Sequence, residues 1–316
     1  RMRCGSRGKK RMKTSQTVAK ALTLGSTNTN GKGAAEVGLD ELLNLDRGRM
    51  SRRVFHDSEI YQLELERIFA RCWLFVAHES QLKKPGDYVS AYMGQDNVLV
   101  VRQRDGSIKV FLNTCPHRGN KVCFSDVGST RQFICNYHGW SFGIDGRLKG
   151  MHASEAFDAS NFDPTGFGLH EVPKVDSYRG LIFATMDSEA PSLAGYLGDM
   201  RYYLDAVFAM DSEGTEFVGG CVKSVIRCNW KYAAENFVGD ALHAGWTHDS
   251  GAKAMVGASV GELHKDVESS YQVNFNGHGW EFNQDIVGNC ASLGDKELVK
   301  YLYALQPKVA ERLGDL

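Results

Sequence analysis

Two short stretches of this 316-residue chain restrict its fold more than anything else in it: Cys115-Pro116-His117-Arg118-Gly119 and, a loop and a strand later, Cys135-Asn136-Tyr137-His138-Gly139-Trp140. Strand signals surround both. Ile108 to Leu112 precedes the first, while Phe133 to Cys135 and Trp140 to Ile144 flank the second. A Cys-x-His and a Cys-x-x-His are therefore expected on tight loops of a small all-β scaffold, with Gly119 and Gly139 where the backbone turns and lets amides approach sulfur. Two thiolates and two imidazoles admit two readings. One is a four-ligand zinc site, and the other is an iron–sulfur centre of mixed ligation.

Thiolates suit ferric iron and bridging sulfide, whereas imidazole is neutral. Placing two histidines on one iron of a [2Fe–2S] centre makes it less negative and more easily reduced. The Arg-Gly after the first pair and the Gly-Trp after the second resemble Rieske loops. That resemblance implies Cys115 and Cys135 on one iron and His117 and His138 on the other. High-potential Rieske proteins of respiratory chains add a cysteine to each loop and a Ser after the second His-Gly. Here the second loop has no spare cysteine, Trp140 stands in place of that Ser, and Cys123 reads as a small buried hydrophobe. Fewer hydrogen bonds to sulfur predict a potential near the low end of the Rieske range, roughly −150 mV.

A second constellation runs from Asn229-Trp230-Lys231 through Glu235-Asn236-Phe237-Val238-Gly239-Asp240 to His243 and Gly245-Trp246-Thr247-His248. Read as a helix capped by Asn229, it places Asn236, Asp240 and His243 at i, i+4 and i+7 on one face. Gly245 offers a place for the helix to end and for His248 to fold back toward His243. Two histidines and a carboxylate with open positions form the site of non-haem Fe(II) oxygen chemistry. Asp240 is then expected to hydrogen-bond a ligand histidine. An ordinary helix whose His243 packs or caps is the alternative.

The two motifs, in this order, resemble the large (α) subunits of Rieske non-haem iron aromatic-ring-hydroxylating dioxygenases, and the stretch from Asn229 to His248 is similar to the naphthalene-dioxygenase branch. The resemblance implies an α+β fold: a small all-β Rieske domain inserted into a catalytic domain of antiparallel sheet and helices. It implies a terminal oxygenase that adds both atoms of O2 to an aromatic, polycyclic hydrocarbon to give a cis-dihydrodiol. Electrons come from NAD(P)H through a reductase and ferredoxin. Small β subunits and an α homotrimer or α3β3 assembly are further implied partners. In such a head-to-tail trimer Asp240 bridges His138 of one subunit and His243 of the next. By the same resemblance Asn236, Phe237, Ala241 and Ala244 line the substrate pocket, with Asp240 and Asn236 as catalytic candidates, and Phe237 has plain core packing as its alternative. In that family the iron carboxylate lies far beyond the second histidine. Glu262, Glu268, Glu281 and Asp285 are not singled out by any motif, so the carboxylate stays unassigned, and a chain truncated at Leu316 is the expectation. A Rieske monooxygenase of an aromatic acid, a Rieske electron-transfer protein and a zinc-bound interaction module are the competing functions.

Composition fits these expectations. Residues 1 to 35 hold nine Lys or Arg and no acid, while the whole chain carries −1, so the body is acidic and gives no encouragement to nucleic-acid binding. The basic tail reads as a disordered extension, with a transit peptide or a nucleic-acid arm as alternatives. No apolar run approaches a membrane span. Eight cysteines without an apparent secretory signal suit the cytoplasm. The expected organisation is an extension over 1–48, an N-terminal catalytic part over 49–86, the Rieske domain over 87–188 and a partial catalytic domain over 189–316. Expected elements include a helix from Glu59 to about Arg71 capped by Ser58 and strands over Tyr88 to Met93, Asn97 to Arg102 and Leu181 to Ala184. A helix from Pro191 to about Ala206, a strand over Val222 to Arg227 and a helix over Glu297 to Leu313 complete the set.

Overall fold

The run Asn97-Val98-Leu99-Val100-Val101 shows how the scaffold is built. Side chains alternate across a strand, so Val98 and Val100 face one way and Leu99 and Val101 the other, and all four are fully buried. A strand covered on both faces lies between two cores. The computed structural model describes residues 38–157, 163–211, 213–240, 243–257, 259, 270–283 and 296–313. Within it, Leu99 and Val101 join Tyr88, Phe111, Phe133, Trp140 and Phe142 in one core, which also buries Cys115 and Cys135. Val98 and Val100 join Val76, Leu82, Val89, Val110 and Ile182 in a second. Each such side chain contributes about 1.5–3 kcal/mol relative to exposure.

The strands are β1 (Leu74–His78), β2 (Asp87–Met93), β3 (Asp96–Arg102), β4 (Ile108–Leu112), β5 (Val127–Ser129), β6 (Gln132–Ile134), β7 (Ser141–Gly143), β8 (Leu148–Gly150), β9 (Lys174–Tyr178) and β10 (Leu181–Thr185). They form antiparallel sheets in the orders β4-β3-β2-β5, β8-β7-β6 and β9-β10-β1. The expected strands of the cluster region are present within a residue or two of their expected ends. Helices accompany these sheets, so the architecture is α+β, as expected. No helix of the described residues is long and apolar enough to cross a membrane.

Several expected elements differ. The first long helix is α1 (Ser58–Glu64), followed by a π-helical turn over Leu65–Phe69. Its cap is Asp57, not Ser58, because the Asp57 carboxylate accepts from the Glu59 amide at 2.9 Å. The helix expected from Pro191 is two, α2 (Leu193–Leu197) and α3 (Met200–Phe208), split at Gly198, whose φ of 50° and ψ of −129° are not helical. Residues 222–227 are not a strand: among the described residues no strand pairs with them, and Val222, Val225 and Ile226 are 100, 96 and 72% exposed. The alternation there supplies strand propensity without a ladder to join. The helix after Asn229 is α4 (Trp230–Val238), with the Asn229 side chain accepting from the Lys231 amide as expected. Short helices α5 (Ala244–Thr247) and α6 (Asp249–Val256) follow, then a hairpin of β11 (Ser270–Phe275) and β12 (His278–Asn283), and finally α7 (Lys296–Leu313).

That hairpin escaped sequence reading although its turn is Asn276-Gly277. Both residues have positive φ, 48° and 80°, which is the demand of a two-residue turn matched to strand twist. Residues 1–49 form a unit separate from 50–316. In the first, Leu39–Leu42 makes one helical turn and Asn44 caps a tight turn over Leu45–Arg47. The basic tail lies outside the described residues.

Candidate metal centres

The two cysteine loops are built as copies of one turn. The Cys115 amide donates to Asn120 O and the Cys135 amide to Trp140 O, both at 2.8 Å. Within each turn Gly119 donates back to Cys115 O and Gly139 to Cys135 O, at 2.8 and 3.0 Å. Both glycines have positive φ, 73° and 70°. At Gly119 a Cβ would meet nothing, so glycine is needed there for conformation alone; at Gly139 it would also press on His152 Cβ at 3.2 Å. The first turn is closed by a bridge of Thr114 to Lys121, the second by the pairing of Ile134 with Ser141.

His117 sits two residues after its cysteine and His138 three, so the repeated turn presents the imidazoles differently. Their rings meet edge to face, 4.6 Å apart at 67°. Trp140, 2% exposed, lies parallel to His117 at 4.7 Å and 4°, and Tyr137 covers His138 at 3.9 Å. Cys115 and Cys135 are 2% and 1% exposed. Burial pushes the Cys115 thiol up, and the neighbouring Cys135 adds to this, against amide hydrogen bonds from His117 and Arg118. Burial pushes Cys135 the same way, but donors from Tyr137, Asn120, Cys115 and His138 outweigh it and leave that thiol below its ordinary value.

His117 Nδ1 is buried and has no hydrogen-bond partner. An orphaned polar atom of this kind costs about 1–3 kcal/mol, a cost that disappears when the nitrogen ligates a metal. Two buried sulfurs ringed by amides beside that nitrogen fit an iron–sulfur cluster.

The second centre follows α4. Asn236, Asp240 and His243 do not share one helical face, because α4 ends at Val238 and Gly239 closes it with a bond from its amide to Glu235 O. The helix end expected at Gly245 thus occurs earlier, at Gly239, and Gly245 lies inside α5. The two imidazoles nonetheless converge, with His243 Nε2 3.1 Å from His248 Nε2. His243 Nδ1 donates to the main-chain carbonyl of Asp240, while the Asp240 carboxylate accepts from the His243 amide at 3.2 Å and stands 3.7 Å from Nδ1. With Nδ1 so engaged, His243 offers the lone pair of Nε2 to a metal.

Among the described residues no group of three His, Cys, Asp or Glu side chains converges on one ion. Glu281 lies on β12, and Glu262, Glu268 and Asp285 lie outside the described residues. Asn236 is exposed and Phe237 is 76% exposed, so neither side chain is enclosed by described residues. Ala241 lies outside the described residues, and Ala244 opens α5.

Sequence reading missed Glu64. It is 8% exposed in α1, accepts from Trp230 Nε1 at 2.8 Å and pairs with Lys231 Nζ at 2.5 Å. Phe69 meets the Trp230 ring at 5.2 Å, and Phe55 stacks on Tyr232 at 4.4 Å. The helix entering the two-histidine segment is thus anchored at its first turn. A Glu on the inward face of an amphipathic helix was the available signal.

Residues 72–175 match the Rieske [2Fe-2S] domain family. Over 294 residues the chain is 38% identical to the benzene 1,2-dioxygenase subunit alpha of Pseudomonas putida, covering 88% of this chain and 63% of that one. Over 292 residues it is 39% identical to the large oxygenase component of the naphthalene 1,2-dioxygenase system of a Ralstonia species, covering 87% and 63%. The solved structure of naphthalene 1,2-dioxygenase with indole bound in its active site superposes with a TM-score of 0.73 at 39% identity, covering 82% of this chain and 59% of that one. The chain is similar to the large (α) subunits of Rieske non-haem iron aromatic-ring-hydroxylating dioxygenases, and spans 63% of the length of the curated relatives above. The cofactors of that family are a Rieske [2Fe–2S] cluster and a mononuclear Fe(II).

Proposed function

We propose that this chain carries both metal centres of a terminal oxygenase that adds the two atoms of O2 to an aromatic hydrocarbon, giving a cis-dihydrodiol. Cys115, Cys135, His117 and His138 hold the cluster, and His243 and His248 hold Fe(II) with a carboxylate still to be assigned. The cluster supplies single electrons and the Fe(II) supplies oxygen activation. The observation that carries this reading is the convergence of His243 Nε2 and His248 Nε2 at 3.1 Å in a chain that also bears both Rieske loops. A Rieske electron-transfer protein needs no such pair.

The protein's own groups have defined tasks. Asp240 O accepts a hydrogen bond from Nδ1 of His243, which fixes the ring's tautomer and turns Nε2 toward His248. Tyr137 and His138 stand at the surface of the second loop, the side from which electrons leave. In a head-to-tail trimer the Asp240 carboxylate of one subunit meets His138 of the next. Ferredoxin, reductase and a small β subunit complete the system, and NAD(P)H is the electron source. The cytoplasm is its setting.

Turnover of naphthalene or biphenyl under 18O2 with ferredoxin and reductase tests the reading. From protein whose Fe(II) has its carboxylate ligand as well as His243 and His248, two labelled oxygens in a cis-diol are expected, one labelled oxygen indicates a monooxygenase, and no product sinks the oxygenase reading. Asp240→Asn keeps the carbonyl that holds His243 but removes the charge. Cluster spectrum and iron content should persist while single-turnover electron delivery slows by about 10- to 100-fold. Loss of iron would instead make the Asp240 carboxylate a ligand.

A further inference from the structure

The sequence of the second loop offers no hydroxyl to the cluster sulfurs, but the first loop supplies a side-chain donor. Asn120 occupies the same place in its turn that Trp140 occupies in the other, at the carbonyl that accepts from the cysteine amide. Its side chain crosses to the opposite loop. Asn120 Nδ2 is 2.9 Å from Lys121 O, 2.9 Å from Asn136 Oδ1 and 3.5 Å from Cys135 Sγ. A main-chain carbonyl only accepts, so Lys121 O fixes the NH2 end of Asn120 toward this group of acceptors. One hydrogen serves Lys121, and the second is directed between Asn136 Oδ1 and the sulfur. Cys135 Sγ lies in the buried core, where hydrogen bonds to sulfur act with little solvent screening.

We propose that Asn120 sets the reduction potential of the cluster by donating a hydrogen bond to Cys135 Sγ. The added electron makes the cluster more negative, and a donor to a ligand sulfur stabilises that form over the oxidised one. Asn120 therefore raises the potential above what the backbone amides alone produce, and the sequence-based expectation of a cluster with few sulfur donors is revised upward. Asn136 competes for the same hydrogen and moderates the effect. Asn120 is a positioning and tuning residue and not a ligand. The inference rests on Cys135 being a cluster ligand, and not on the mononuclear iron.

The test is the midpoint potential of the cluster, measured by EPR-monitored titration of the intact chain. Asn120→Leu keeps the volume and removes the donor. The reduced-to-oxidised ratio at fixed potential should fall about tenfold, a downward shift of ~59 mV for one electron, with cluster content and the EPR line shape retained. Asn136→Ala frees the shared hydrogen for sulfur, so the potential should rise or stay level. An unchanged potential in Asn120→Leu, or a fall in Asn136→Ala, overturns the proposal. Should Asn120→Leu lose its cluster, pulsed EPR of the reduced Asn136→Ala protein, with 15N in the side-chain amide of asparagine, decides the matter. A coupled amide nitrogen supports the bond, and none overturns it. Absence of any Rieske signal in the unmodified chain would instead sink the cluster assignment itself, a result distinct from either.

Discussion

The cluster loops and the two-histidine segment hold their candidate ligands by different means. Each cysteine loop is closed by main-chain bonds across its own turn, and its sulfur is sunk in a core of aromatic and β-branched side chains. Among the described residues the His243–His248 pair has no such core: Trp246 is 90% exposed, His248 is exposed, and the contacts that set His243 run to Asp240 three residues away. A site embedded in a two-faced sheet is preformed because moving a ligand means unpacking the core. A site set at the end of a helix depends on whatever holds that helix. Here one hold is at the far end, where Glu64 grips Trp230 and Lys231.

The strongest break between the two regions comes from removing a cluster ligand. Cys115→Ser or His117→Ala should eliminate the Rieske absorption and the reduced-state EPR signal, while His243 and His248 keep their convergence. An unchanged visible spectrum in either variant would refute the ligand assignment. Loss of structure around residues 230–256 as well would show that the regions are not independent.

A smaller effect is expected from Glu64→Ala. It leaves the Lys231 ammonium, only 18% exposed, without its partner. Breaking a buried pair from one side costs about 3–5 kcal/mol, and residual solvent access lowers this to about 2–3 kcal/mol. Urea unfolding measures it, with Glu216→Ala as a control that removes the exposed pair to Lys83 at a cost of about 0–1 kcal/mol. Equal losses in the two variants would mean that Glu64 is not an anchor. Hydrogen exchange should rise in Trp230–Val238 and not in the cluster loops.

The smallest effect concerns pH and the sheet side of the molecule. His78 is 2% exposed, and burial lowers its pKa, with Glu79 opposing. A depressed pKa means that the unfolded chain binds the proton first. The contribution is therefore intact above about pH 6.5 and declines as pH falls toward the folded value, by at most ~1.4 kcal/mol per pH unit. Denaturation at pH 7.5 and 5.5 should show a smaller difference in His78→Asn than in the unmodified protein. Equal differences would remove His78 from the account.

Strand positions in the cluster region were legible because alternation and Asp-Gly turns act locally, as at Asp105-Gly106 and Asp145-Gly146. The Asn229 cap was legible for the same reason. Helix ends were not: Gly198 and Gly239 interrupt patterns that continue through them, and residues 222–227 have a strand's composition with no neighbouring ladder among the described residues.

The sequence by itself determined which atoms can ligate and where the turns that carry them fall, since ligand type and turn residue are properties of one short segment. Only the tertiary structure decided that Glu64 meets Lys231 across 167 positions, that His117 Nδ1 is left without a partner and that Asn120 reaches the sulfur of the other loop. Those depend on which distant surfaces pack together, and burial, unlike valence, is not written in any single residue.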